Sequence, residues 1–134
     1  MVVRPGRDND RDEVAAIQRA SPEASSWDPW GYDVTVAEIE DRIVGFLVTH
    51  RLAVDELEIL NLAVAPSNRR KGVAKALVSA SLEHVCGSVF LEVRESNLAA
   101  RQLYESIGFK EVNRRPQYYS DSQEAAIVMN FHSC

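Results

Sequence analysis

The sequence predicts an α/β (α+β) fold with a mixed central sheet flanked by helices, from the order of its elements and two local patterns. Val- and Ile-rich runs alternate with stretches whose apolar residues recur at helical spacing. The order reads helix, hairpin, strand, helix, strand, helix, strand, strand. An apolar strand stops at Pro66 and passes through a short polar turn into a helix that opens at Gly72. A β-branched hairpin comes before it, and no internal repeat or low-complexity tract interrupts the chain.

At 134 residues the chain is expected to be one domain, 1–134, with a real core. Apolar residues make up 46% and charged residues 26%, an ordinary globular balance. A net charge of -5 argues against broad nucleic-acid binding. The apolar runs are shorter than a membrane span, and Met1 to Gly6 lacks the apolar core of a signal peptide. No membrane partner and a cytoplasmic location are therefore expected, as a monomer or weak homodimer.

Cys86 and Cys134 are too few and too far apart for a disulfide framework, and Cys86, near the end of an apolar helix, reads as a small buried thiol. His50, His84 and His132 are scattered, so no metal is expected.

Val2 and Val3 begin a first strand, and Asp10 with Glu13 resembles a capping box for a helix striped by Val14, Ile17 and Ala20 and ended by Pro22. Ser21 to Gly31 is a loop whose Trp27 and Trp30 either pin it to the core or cover a substrate groove. Val34 to Glu40 and Ile43 to His50 form an antiparallel hairpin about Asp41-Arg42, its second strand covered on both sides. A turn at Val54-Asp55 leads into the strand Leu57 to Ala65, and the helix from Gly72 runs to about Val85, with Gly87 marking its end. Val89 to Val93 is a strand. Asn97 caps a helix from Leu98 to Ile107, and Gly108 closes it. Phe109 to Val112 returns as a strand, Arg114 to Asp121 is a polar loop, and Glu124 to Phe131 is the last strand.

A helix start leaves its first N-H groups without partners and carries partial positive charge, so the turn before Gly72 is a candidate anion site. Gly72 permits close approach to the backbone, and Arg69, Arg70, Lys71 and Lys75 add charge suited to phosphate. The alternative is a solvated basic turn before a surface helix.

Glu92 projects from its strand on the side opposite Val89, Leu91 and Val93. Beside Phe90 in a partly desolvated cleft its pKa would rise toward the range of a general base; at a strand end it would simply face water. Tyr104 shares an apolar helix face with Ala100 and Ile107, and is either a core residue or a proton donor facing a cleft.

Arg69-x-x-Gly72-x-Ala74, after a strand and opening a helix, resembles the pyrophosphate loop of the GCN5-related N-acetyltransferases. It lacks the Gly-Lys-Ser/Thr ending of a P-loop and the glycines of a dinucleotide fingerprint. Leu91-Glu92-Val93-Arg94-x-Ser96-Asn97-x-Ala99-Ala100-x-x-Leu103-Tyr104-Glu105-Ser106-x-Gly108-Phe109 resembles a second signature of that family. In detail it is similar to the bacterial ribosomal-protein alanine N-acetyltransferases, as is Asn61-Leu62-Ala63-Val64-x-Pro66.

The resemblance covers about Leu57 to Phe131 and implies the GNAT fold, acetyl-CoA as co-substrate and no metal. By position it implies Glu92 as general base and Tyr104 as general acid toward the departing CoA sulfur. It places Leu62, Ala63 and Val64 against the acetyl and pantetheine arm, and Asn97 against the pantetheine. Arg69, Arg70, Lys71, Gly72, Val73, Ala74 and Lys75 fall in the pyrophosphate loop. The implied acceptor is a peptide or protein N-terminus, in particular the N-terminal alanine of a small-subunit ribosomal protein; a small-molecule amine is the alternative, and a cofactor-binding sensor without catalysis a third reading.

The segment before the hairpin is shorter than in the family, where it helps form the acceptor groove. Arg114-Arg115-Pro116-Gln117-Tyr118-Tyr119 has one residue more than the Arg-Arg-x-Tyr-Tyr loop of the alanine acetyltransferases and lacks the proline that follows there.

Overall fold

The β-branched runs become strands and the periodic stretches helices. The structure, a computed structural model, describes residues 1–134 except Glu23, Ser25, Ser26 and Ser120. The loops expected at 21–31 and 114–121 lie in part outside the described residues. The strands form a seven-stranded mixed sheet in the order β1-β2-β3-β4-β5-β7-β6. The chain divides into two compact units, Met1–His50 with Leu60–His84 and Arg51–Ile59 with Val85–Cys134.

In the first unit, β1 (Val2–Pro5) pairs antiparallel with β2 (Asp33–Ile39), and β2 with β3 (Arg42–Ala53). The hairpin turns on Glu40-Asp41, because Ile39 pairs with Arg42, one residue earlier than expected. Both turn residues have positive φ, 50° and 63°, the backbone that fits a two-residue turn to the strand twist. Ile43 to Thr49 is buried throughout, as expected of a strand covered on both faces.

Val14 and Ile17 of α1 (Arg11–Arg19) join Val34, Val36, Phe46 and Val48 in one apolar cluster, with Trp30 packed against it. Toward α2 (Val73–Leu82), Gly45 removes the side chain that would collide: a Cβ there would stand 2.9 Å from Val73 Cγ1 and 3.1 Å from the Ala63 carbonyl. This helix ends at Leu82, short of the expected Val85.

The capping box expected at Asp10 does not form. Asp10 instead accepts the Arg7 N-H at 2.8 Å and both Arg4 guanidinium nitrogens at 2.8 and 3.0 Å, while Glu13 accepts the Ile43 N-H at 2.9 Å. A carboxylate within reach of a buried guanidinium gains more there than on a helix end.

In the second unit, residues Glu56–Ile59 of β4 (Glu56–Val64) pair parallel with β5 (Gly87–Arg94), Glu58 opposite Phe90. β5 pairs antiparallel with β7 (Glu124–Ser133), which also pairs with β6 (Lys110–Tyr119). The predicted polar loop from Arg114 is therefore strand as far as Tyr119, since β7 offers a partner that local composition does not reveal. Gly87 opens β5 rather than ending a helix: its φ of +152° brings the backbone so close to the Asp55 carbonyl that any side chain would clash. Asn97 caps α3 (Leu98–Ile107), accepting the Ala100 N-H at 3.2 Å, and Gly108 at φ +123° closes it.

Cys86 is not a buried thiol. It is exposed and forms a disulfide with Cys134, with Cα atoms 5.2 Å apart. The register explains it: Gly87 pairs with Ser133, so the preceding and following residues meet at the strand ends. No helix among the described residues is long and apolar enough to cross a membrane.

Candidate active site

Alternation along β5 buries Val89, Leu91 and Val93 and leaves Phe90, Glu92 and Arg94 partly accessible on the other face. Glu92 therefore projects as its position in the sequence requires, with its side chain 20% exposed. Arg115 Nη1 lies 3.1 Å from its Oε1. The same carboxylate, by hydrogen bonding and by its negative charge, makes the Tyr118 phenol harder to ionise than usual. The parallel register sets Glu58 on this face, next to Phe90, where its charge acts on Tyr118 as well.

Around this group the other charges are fixed in pairs. Arg94 forks onto Asp121 at 2.9 and 3.0 Å and lies 4.1 Å over the Tyr119 ring, and Arg114 meets Glu95 at 2.7 Å. Asp121 and Glu95 are both held below the usual carboxylate range, first by these arginine hydrogen bonds.

Tyr104 is 5% exposed, its ring 5.5 Å from that of Phe109. Burial pushes its pKa well above that of an ordinary phenol, so it keeps its proton across the physiological range. It belongs to the core, in an aromatic layer that Phe109 extends to Phe131 at 5.5 Å. Asn97 uses its side-chain oxygen to cap the start of α3.

In the first unit the turn before α2 is built as an open helix start. Gly72 is the N-cap with φ +79°, no side chain caps the helix, and nothing lies within 4 Å of where a Gly72 Cβ would be. The first N-H groups, on Val73, Ala74 and Lys75, have no side-chain cap, and Arg70, Lys71 and Lys75 are exposed nearby. An uncapped helix start with this charge suits an anion such as a phosphate or diphosphate. Arg69 is turned to another use: its guanidinium reaches the Val64 carbonyl at 3.2 Å and Ser21 Oγ at 3.3 Å, tying the turn to the strand end.

Leu62 is half-buried and Ala63 and Val64 are buried on that strand; the Leu62 N-H donates to Asn61 Oδ1 at 3.0 Å. Of the two indoles, Trp30 packs on the core under Arg11, 4.8 Å from its ring, whereas Trp27 is 38% exposed and meets Tyr32 edge-on at 5.6 Å. Tyr32 in turn meets His50 at 5.3 Å.

The structure thus places Glu92 and Tyr104 in one unit and Leu62 to Lys75 in the other. Reading the sequence missed Glu58, Arg115 and Tyr118 as neighbours of Glu92. Only strand register brings them there, and the available signal was Pro116, which interrupts an otherwise pairable run.

The Acetyltransferase (GNAT) family matches residues 7–109. The [Ribosomal protein bS18]-alanine N-acetyltransferase of Haemophilus ducreyi is 36% identical over 97 residues, 67% of this chain and 66% of that protein. Its counterpart in Escherichia coli K12 is 32% identical over 117 residues, 75% of this chain and 79% of the relative. The crystal structure of the ribosomal-protein-S18-alanine N-acetyltransferase from Escherichia coli superposes with a TM-score of 0.83 at 28% identity, covering 99% of this chain and 94% of that one.

Proposed function

The chain belongs to the acetyltransferase (GNAT) family, and from that premise we propose that it transfers acetyl from acetyl-CoA to the α-amine of a protein N-terminus, most specifically the N-terminal alanine of a small-subunit ribosomal protein. The observation that carries this reading is the uncapped, cation-flanked helix start at Gly72; the half-buried carboxylate of Glu92, in the second unit, supports it. Relatives that share the segment act on an N-terminal alanine, which supports this acceptor over a lysine side chain.

Acetyl-CoA supplies an acyl group activated as a thioester. The chain's own work is to hold and to move protons. Val73, Ala74 and Lys75 N-H groups with Arg70 and Lys71 would seat the diphosphate. Backbone along Leu62 to Val64 would align the pantetheine arm, and its N-H donors would stabilise the oxygen of the tetrahedral intermediate. Glu92 takes one proton from the acceptor's ammonium, freeing the lone pair for attack; as the C-S bond breaks Tyr104 delivers its proton to the sulfur, and the extra proton the nitrogen still carries returns through solvent to the Tyr104 oxygen. Attack is direct, so no Ser or Cys nucleophile is called for.

An N-terminal amine has a lower pKa than a lysine, which eases Glu92's task. The net charge of -5 suits a basic ribosomal partner. With a ribosomal partner, the enzyme would act in the cytoplasm.

A second reading, acetylation of a small amine, is favoured by one feature: between α1 and β2 the described residues include a short 3-10 turn, Pro29–Gly31, with exposed Trp27 and Tyr32 beside it. Initial rates on an alanine-terminated peptide against a panel of small amines and amino acids decide between them. Turnover confined to the panel would remove the peptide acceptor.

A further inference from the structure

The β6 strand leaves its partner where it passes Glu92. Arg115 pairs with Ala126 and Tyr119 with Glu124, so Pro116, Gln117 and Tyr118 stand against Ala125 alone. Pro116 has no N-H to give the ladder, and Gln117 takes a φ of +54°, so the chain arches out of the sheet. The two ends of this arch deliver Arg115 and Tyr118 to one carboxylate, Glu92, with the Arg115 guanidinium 5.7 Å from the Tyr118 ring.

Arg115 differs from the other arginines near it. Arg94 is clamped by a bidentate carboxylate and an aromatic face, and Arg114 by Glu95. Arg115 is the last paired residue before the arch, its side chain is 52% exposed, and among the described residues its ion pair is with Glu92. A pair so exposed is weak and exchangeable. An incoming ammonium needs that same carboxylate, and two cations crowded onto one carboxylate repel each other.

We infer that the Arg115 guanidinium occupies on Glu92 the place the acceptor's ammonium takes, so that acceptor binding is an exchange of one cation for the other, made possible by the Pro116–Tyr118 arch. This rests on Glu92 being the base. It deepens that reading by assigning the acceptor's class: a primary amine that arrives protonated and displaces a cation before losing its proton to Glu92. Arg115 is a positioning residue; it competes with the acceptor and takes no part in the proton transfers.

The test is steady-state acetyl transfer to an alanine-terminated peptide at saturating acetyl-CoA, with peptide binding measured by calorimetry on the CoA-loaded protein. Wild type, Arg115→Gln, Arg115→Lys and Glu92→Gln are compared. Arg115→Gln is expected to lower the peptide's KM and Kd together by about two- to fivefold, the range an exposed ion pair allows. Arg115→Lys, which restores a competing cation, is expected to return both toward wild type. An Arg115→Gln variant whose KM and Kd are unchanged or raised, alongside a Glu92→Gln variant that has lost turnover, overturns the exchange and leaves the base standing. Wild-type turnover by Glu92→Gln would instead remove the base, and the exchange with it. Should Arg115→Gln fail to fold, Arg115→Met, which keeps the stem that covers the Tyr118 ring, is held to the same expectation.

Discussion

Gly72→Asp separates ligand binding from folding. The position has φ +79°, which aspartate tolerates better than most residues, and nothing stands within 4 Å of the new Cβ, so the substitution meets no steric barrier. An N-cap carboxylate also suits the helix start, which has no side-chain cap of its own. Stability of the free protein should therefore stay within about 1 kcal/mol of wild type, strain and capping offsetting each other. Binding of acetyl-CoA should suffer. A carboxylate about 5 Å from one phosphate charge costs about 1 to 3 kcal/mol between the limits of bulk water and a protein surface. That is a loss of about five- to 150-fold in affinity, less at high salt. Gly72→Ala carries the backbone strain without the charge and should lose much less. Titration calorimetry with acetyl-CoA, with a denaturant melt of the unliganded proteins, measures both sides. Equal affinities for Gly72→Asp and wild type would refute the placement of the diphosphate.

Other consequences follow from packing and charge. Gly45→Ala would press a methyl onto Val73, Leu77 and the Ala63 carbonyl, and should cost about 1 to 3 kcal/mol in urea denaturation; a neutral result would mean that α2 does not lie against this glycine. The Arg4 hydrogen bonds depress the folded-state pKa of Asp10, so their contribution is fully present above the unfolded aspartate's range and is lost as pH falls through the lower folded value. Asp10→Asn should therefore lose more stability at pH 7 than at pH 3, and an equal loss at both would contradict the pairing. The Cys86–Cys134 bridge closes a loop with a sequence separation of 48, worth at most about 4 kcal/mol by chain entropy. Dithiothreitol or Cys86→Ser should lower the urea midpoint of the oxidised protein, and an unmoved midpoint would argue that the thiols are not joined.

Much of this was legible because local chemistry decided it. Pro66 and Gly72 punctuate the strand-to-helix turn, Asn97 and Gly108 bound α3, and period-two alternation turns Glu92 away from the buried face of β5. What depends on partners distant in sequence was hidden. The extension of β6 to Tyr119 depends on β7, and the placing of Arg115 and Tyr118 on Glu92 depends on a register break that no local pattern announces. Cys86 meets Cys134 through the same register. Asp10 looked like a cap from its neighbours in sequence, and it was Arg4, on β1, that claimed its carboxylate.

The most direct measurement is the intact mass, with fragmentation, of an alanine-terminated ribosomal peptide incubated with acetyl-CoA and either wild-type protein or Glu92→Gln. The account predicts one acetyl group, on the α-amine, formed by wild type and lost by about 100-fold or more in rate with Glu92→Gln. A peptide left unmodified by wild type, or modified equally fast by Glu92→Gln, would contradict it.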